Sequence, residues 1–280
     1  NHAFSRSTQL VFKLIEQYQI FCNLERNGNL FLAHNARSRK LIQAFFTQHS
    51  DLGAKLEWLE EEKTQEAVGS PRYTSAVLDY RAGTIQPLSY VRGLARAAIS
   101  EGARVHCNTK IMDLKPSHYG WLATTENGHG ISAKQVVLAT DSYTDGLWPS
   151  LAKSLIPVTA QQVATTPLSE NVARTIVPHG RGTADRMIFT HYFRKDVNNR
   201  LLMVTGGPSP SPTSLLNHFF PQLGDNIRYE YQWNGQVSVS KDKLPRIYKA
   251  APNLLAVMGY SGRGISSGTL MGNLISDHLL

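Results

Sequence analysis

Leu254-Leu255-Ala256-Val257-Met258-Gly259-Tyr260-Ser261-Gly262-Arg263-Gly264-Ile265 is the stretch on which the reading of this chain turns. Five consecutive apolar residues with no polar alternation predict a strand covered on both faces. Glycines at 259, 262 and 264 predict a turn whose backbone admits a close neighbour. Beyond the turn, Ile265, Leu270, Leu274, Ile275 and Leu279 recur at helical spacing, and the first turn, Ser266-Ser267-Gly268, has only small side chains. A helix that starts there offers unbonded N–H groups and the positive end of its dipole.

Such a joint suits several chemistries. Gly262-Arg263-Gly264 followed by Ser267 resembles a phosphate-binding GxGxxG/A turn, but that fingerprint needs a unit of about 30 residues with an acid about 20 residues on. The sequence stops at Leu280, so the motif is incomplete. A nucleophile elbow at Ser261 would need glycine at 263, where Arg263 stands. The only acid and histidine downstream, Asp277 and His278, are adjacent and point about 100° apart on a helix. A reduced flavin fits better, because a helix start aimed at its N1 and C2=O stabilises the negative charge that hydride transfer puts there. An ordinary strand–turn–helix packing joint accounts for the same pattern.

Working outward, residues 8–18 predict an amphipathic helix and residues 29–34 a short strand. Ser38 is the expected N-cap of a helix reaching Phe46. The cluster Glu57, Glu60, Glu61 and Glu62 reads as a solvated helix face. Pro87 opens a helix with Leu88, Val91, Leu94, Ala95, Ala98 and Ile99 as its stripe, and Gly102 ends it. Strands are expected at 104–107, 110–114, 121–125 and 130–133, and a two-sided strand at 136–140. Residues 156–166 and 186–194 also read as strands, the latter in a hairpin with 201–204. A short helix is expected near 214–220. In 229–239, Gly235 predicts a bulge or a close backbone approach. An antiparallel block thus interrupts a layered α/β unit.

Composition narrows the class. No apolar run approaches the roughly 18 residues that a membrane-spanning helix needs. The net charge of +8 is spread along the chain with no basic run, so a nucleic-acid partner is not expected. Cys22 and Cys107 fit no metal or redox spacing, and the ten histidines form no cluster, so no metal site is expected. The sparse cysteines fit a cytoplasmic, reducing setting.

A further set of segments runs in order through the chain: Gly69-Ser70-Pro71-Arg72-Tyr73, Ala82-Gly83-Thr84-Ile85-Gln86-Pro87-Leu88, Gly93-Leu94-Ala95-Arg96, Ile156-Pro157-Val158, Tyr192-Phe193-Arg194, Trp233-Asn234-Gly235 and Asp242-Lys243-Leu244-Pro245. Together with residues 136–140 and 259–262, this set resembles the FAD-dependent oxidoreductases of the D-amino-acid oxidase superfamily. The likeness is to the branch of gamma-glutamylputrescine, sarcosine and glycine oxidases. It implies a mixed α/β fold in which a discontinuous Rossmann-like FAD-binding domain carries an inserted substrate domain with a mixed or antiparallel sheet. The expected division is 1–80 substrate side, 81–148 FAD side, 149–235 substrate sheet and 236–280 FAD side. No strand–GxGxxG–helix unit precedes Leu10, so the chain is expected to be N-terminally truncated.

The resemblance also implies roles. Ile111 would meet the adenine, Ala139 and Thr140 would end the strand beside the dinucleotide, and Gly235 would approach the flavin. Gly259, Tyr260, Ser261, Gly262, Arg263, Gly264 and Ile265 would line the isoalloxazine. Tyr192 and Arg194 would hold a substrate carboxylate, although they also suit a half-covered sheet face, and Arg263 would add a fixed positive charge. Asp141 stands where glycine or asparagine is usual, and its carboxylate is expected to repel a pyrophosphate. With no cysteine near 235, FAD is expected to be noncovalent. The implied activity is oxidation of a primary or secondary amine or an amino acid by hydride transfer to FAD, with oxygen as acceptor. A flavin dehydrogenase with another acceptor and a non-catalytic basic binding module are the alternatives.

Overall fold

The run Leu254–Met258 is a strand with all five residues buried in the computed structural model, which describes residues 4, 6–185, 191–206 and 209–279. Among the described residues the strands in chain order are β1 (Asn29–Ala33), β2 (Leu56–Glu60), β3 (Ser75–Asp79), β4 (Ile111–Ser117), β5 (Gly120–Thr125), β6 (Gly130–Ala133) and β7 (Val136–Leu138). They continue as β8 (Ile156–Thr165), β9 (Gly182–Asp185), β10 (Tyr192–Lys195), β11 (Leu201–Gly206), β12 (Tyr229–Val239), β13 (Arg246–Ala251) and β14 (Leu254–Met258).

The chain divides into two units, Asn1–Ile20 with Ser89–Val158 and Gln236–Leu280, and Phe21–Leu88 with Thr159–Gly235. The first unit is built around β14. It pairs with β7 in parallel and with β13 antiparallel, in the order β13-β14-β7. Alternation sends Leu254, Ala256 and Met258 into a core with Trp121, Leu138 and Leu151. Leu255 and Val257 face Met271 and Ile275 of the helix Gly264–Leu279. Val136 and Val137 of β7 pack on these two opposite sides, which accounts for the missing polar alternation in both runs. A meander, β4-β5-β6, joins this core through Trp121, whose indole N–H donates to Pro252 O at 3.0 Å. Gly128, with φ 78°, makes the expected turn between β5 and β6.

Residues 1–20 group with this first unit rather than with residues 21–80, which follow them. The helix Ser7–Gln17 places Leu10 and Leu14 in the same groove as Val91 and Gly268, which explains the difference.

The second unit carries most of a mixed sheet ordered β12-β8-β11-β10-β9-β1-β3-β2. β1 and β9 pair in parallel, and the other described pairings in it are antiparallel. One face buries Leu30, Leu32, Val163, Phe193, Leu201 and Met203 beneath Val68, Leu216 and Phe219 of the helices Glu61–Val68 and Pro212–Phe219. On the other face, Ala33 and Val77 pack against Ile42 of the helix Ala36–Asp51. The register aligns Tyr192 with Val204 and Gln162, and Arg194 with Leu202 and Ala164. Tyr192 is exposed and Arg194, Leu202, Val204 and Gln162 are half-buried, so this part of the sheet is open.

Several local expectations change. Asn35, not Ser38, caps the helix Ala36–Asp51; Ser38 is the third helical residue and returns the bond in a capping box. Glu57 and Glu60 lie on β2, while Glu61 and Glu62 open the next helix. No strand forms at 104–107, where every residue is exposed and finds no ladder. The predicted strand 186–194 is seen only as β10, and residues 186–190 lie outside the described residues.

Candidate functional site

The turn after β14 keeps its shape through left-handed backbone. Gly259, Ser261 and Gly262 have φ of 87°, 52° and 81°. The N–H of Ser261 donates to Ser238 O at 3.0 Å, and that of Arg263 to Tyr260 O at 3.0 Å. Ser240 N–H donates to Ser261 Oγ at 3.2 Å. The helix Gly264–Leu279 then starts, with Ser267 N–H bonded to Arg263 O. The N–H groups before Ser267 form the first helical turn and lack intrahelical acceptors by geometry.

The turn leaves open space beside its backbone, as a close-lying planar group would need. A Cβ placed on Gly262 would meet no atom within 4 Å, so the space beside the turn is open. Ile265, at the helix start, is exposed and lines an apolar groove of about 560 Å³ with Leu10, Leu14, Val91 and Leu94. The small residues of the first turn serve packing as well: a Cβ on Gly268 would lie 3.8 Å from Cζ of the Tyr260 ring. Burial, helped by the charge of Asp141, pushes the Tyr260 phenol up to about 12, so it is a neutral donor at ordinary pH.

Asp141 lies beside this turn. Its carboxylate turns into the protein, where Oδ1 accepts from Ser238 Oγ at 2.5 Å and from Gly259 N–H at 2.7 Å. The partners lie 97 and 118 residues away, so no spacing rule could have found the joint. Arg263 is exposed, and its guanidinium donates to Lys243 O. Asp242 accepts from Leu244 N–H at 3.1 Å and from Arg246 at 2.6 Å, so it shapes the turn ahead of β13.

The remaining predicted residues fall at distinct places. Ala139 and Thr140 are exposed just past β7, with Thr140 Oγ1 2.8 Å from Thr144 Oγ1. Ile111 opens β4 opposite Thr125. A Cβ on Gly235 would meet no atom of the described residues within 4 Å, so the close approach expected there is not found among them. Tyr192 and Arg194 lie together on the open part of the second unit's sheet. Burial lowers the Arg194 pKa, and its guanidinium donates to Lys195 O at 3.4 Å. Among the described residues no carboxylate lies within ion-pair distance of Arg194. His191 is buried, its Nδ1 without a described partner.

Among the described residues no His, Cys, Asp and Glu group has the arrangement of a metal site. Cys22 and Cys107 are both free thiols. Among the described residues no helix is long and apolar enough to cross a membrane.

Residues 2–278 match the family described as FAD dependent oxidoreductase. The chain is similar to gamma-glutamylputrescine oxidoreductase of Escherichia coli, 31% identical over 285 residues that cover 97% of this chain and 65% of that protein. It is also similar to a probable oxidoreductase, OrdL, of Haemophilus influenzae, at 25% identity over 97% of this chain and 65% of that protein. The chain thus spans just under two thirds of the length of these curated relatives. Among solved structures, glycine oxidase from Geobacillus kaustophilus shares the fold with a TM-score of 0.81 at 20% identity, over 99% of this chain and 76% of that one. L-proline dehydrogenase from P. horikoshii does so with a TM-score of 0.79 at 18% identity, over 96% and 76%.

Proposed function

Because this chain belongs to the FAD dependent oxidoreductase family, we infer that it is the flavin-turn and substrate-sheet part of an enzyme that oxidises a primary or secondary amine or an amino acid. The observation that carries this reading is the turn after β14: three left-handed residues, an open side at Gly262, and a helix start directly beyond it. Bound FAD supplies the hydride-accepting ring and passes the electrons on, with oxygen proposed as the acceptor.

The chain's own residues would then bind, orient and shield. Residues 259–265 would line the ring, and the N–H groups of the first helical turn would face the charge that develops there. Ile111, Ala139, Thr140 and Gly235 are proposed further contacts to a noncovalently held dinucleotide. Tyr192 and Arg194 would hold a substrate carboxylate. The support is chemical: a half-buried guanidinium that makes no ion pair among the described residues shares its strand face with a phenol on an open part of the sheet. The name of the Escherichia coli relative supports an amine substrate that also carries an amino-acid end.

The test is spectroscopic. The full-length protein should purify yellow or take up added FAD, and its visible bands should bleach when a suitable amine is added without air. Peroxide release in air identifies oxygen as the acceptor; bleaching without peroxide points to another acceptor. A full-length protein that neither carries nor takes up flavin would sink the reading.

A further inference from the structure

Three segments distant in sequence meet at one oxygen atom. Asp141 follows the end of β7, Ser238 lies near the end of β12, and Gly259 opens the glycine turn. Asp141 Oδ1 takes the Ser238 hydroxyl at 2.5 Å and the Gly259 N–H at 2.7 Å. A second ring of bonds closes around it. Ser142 Oγ donates to Gln236 O at 2.8 Å, Ser261 N–H to Ser238 O at 3.0 Å, and Ser240 Oγ to Leu244 O at 2.9 Å. The end of β12 is therefore laced between the turn at 141–143 and the turn at 259–262.

Asp141 has φ 43°, a left-handed conformation that aspartate and asparagine tolerate better than most residues. That backbone is held where the carboxylate reaches both donors, which is how a constraint tied to function shows itself. The turn needs such a support. Gly259, Ser261 and Gly262 all have positive φ, and a Cβ on Gly262 would find no packing neighbour. An N–H bonded to a carboxylate is held by a charge-assisted bond, stronger than one to a carbonyl.

Resting on the reading of this turn as flavin-facing, we propose that Asp141 is a positioning residue: its carboxylate fixes the path of residues 259–264, sets the aim of the helix Gly264–Leu279 at the flavin, and keeps a negative charge beside the turn. The charge opposes the gain of negative charge that accompanies flavin reduction, so it holds the flavin's potential down.

Two substitutions separate the parts of the proposal in the full-length protein. D141N keeps an acceptor oxygen and the left-handed backbone but removes the charge. D141G keeps only the backbone. FAD affinity is read by quenching of flavin fluorescence, and the midpoint potential of bound flavin by dye-linked reduction. D141N should bind FAD within about threefold of wild type, since a neutral oxygen still accepts both bonds, and should show a raised midpoint potential. D141G should bind FAD at least about tenfold more weakly, the loss expected for a hydrogen bond to a charged group. S238A, which removes one donor and leaves the Gly259 bond, should lose less than D141G. Wild-type affinity in D141G overturns the positioning role, and an unchanged or lowered potential in D141N overturns the role of the charge. Should D141G not fold, the potential of D141N and the affinity of S238A decide. Failure of the wild type itself to take up FAD sinks the flavin reading, whereas uptake by wild type and D141G alike sinks only the Asp141 proposal.

Discussion

Gly69 ends the helix Glu61–Val68 with φ 74°, and a Cβ there would lie 1.6 Å from Thr175 O. Neither backbone can yield without breaking the core that Val68 and Ile176 share. Gly69→Ala should therefore destabilise the protein by roughly 3 kcal/mol or more, combining left-handed strain with a steric overlap. Gly53 provides the control: its φ is 77°, but a built Cβ meets nothing within 4 Å. Gly53→Ala should cost about 1 kcal/mol, the strain alone. Urea midpoints of the two variants check the contrast, and equal losses would refute it. Gly69 could be marked from sequence as a turn glycine, but the carbonyl it faces could not, since Thr175 is far along the chain.

His34 shows a titratable effect at the same scale. Its Nδ1 lies 3.2 Å from Asp185 Oδ1, and the carboxylate is fully buried with Tyr73 donating to its other oxygen at 3.0 Å. The hydrogen bond to Asp185 raises the imidazole pKa above its ordinary value despite the opposing cost of burial. A raised base favours the folded state when protonated. Its contribution is thus complete below the unfolded value of about 6.5 and fades as pH rises through the folded value. The stability gap between wild type and His34→Gln should be larger at about pH 5.5 than at about pH 8.5, on either side of that window. Denaturant unfolding at the two pH values measures it, and a gap that widens with rising pH contradicts the assignment.

At the scale of elements, runs with a strong pattern were legible and interfaces made by small residues were not. The uninterrupted apolar run of β14 announced a strand covered on both faces, and both faces are covered. The helix Pro87–Ser100 lies where Pro87 and Gly102 predict it, with Gly102 left-handed at φ 92°, yet its buried side is not the large apolar stripe. Leu88, Val91 and Ile99 are exposed, and Tyr90, Gly93 and Ala97 are buried. Counting large apolar residues finds a stripe, whereas close packing here needs the absence of a side chain. A Cβ on Gly93 would lie 2.2 Å from Ile20. The cap of Ala36–Asp51 lies three residues before the expected Ser38 for a related reason, since Asn35 and Ser38 both suit a cap and only the reciprocal bonds tell them apart. Asn35→Ala removes the acceptor of Ser38 N–H, 2.9 Å away, and should lower stability by about 1 kcal/mol. Asn35→Asp should keep most of it. Urea unfolding checks both, and a neutral Asn35→Ala would show that water replaces the cap.

For the whole molecule, the interleaving of an antiparallel block within an α/β unit was visible in the order of patterns, because periodicity changes from one segment to the next. The division of the chain was not. Two of its crossings fall inside β8 and β12, between residues 158 and 159 and between 235 and 236, where a strand runs on with no change in composition. The candidate site divides in the same way. The glycine turn was legible because its residues are neighbours in sequence, while its support by Asp141 and Ser238 depends on contacts that no local pattern encodes.

The discontinuity of the first unit also sets a schedule for biosynthesis. Domains tend to fold from the N-terminal side as they emerge, at about 5–20 residues per second. Phe21–Leu88 and Thr159–Gly235 are all made by the time residue 235 has been added, but the helix Gly264–Leu279 comes after every other described element. Until that helix docks, Leu255 and Val257 have no Met271 or Ile275 to cover them. One side of β14 is therefore covered only by the docking of an element made after it, so the apolar layer of the first unit closes late in its folding.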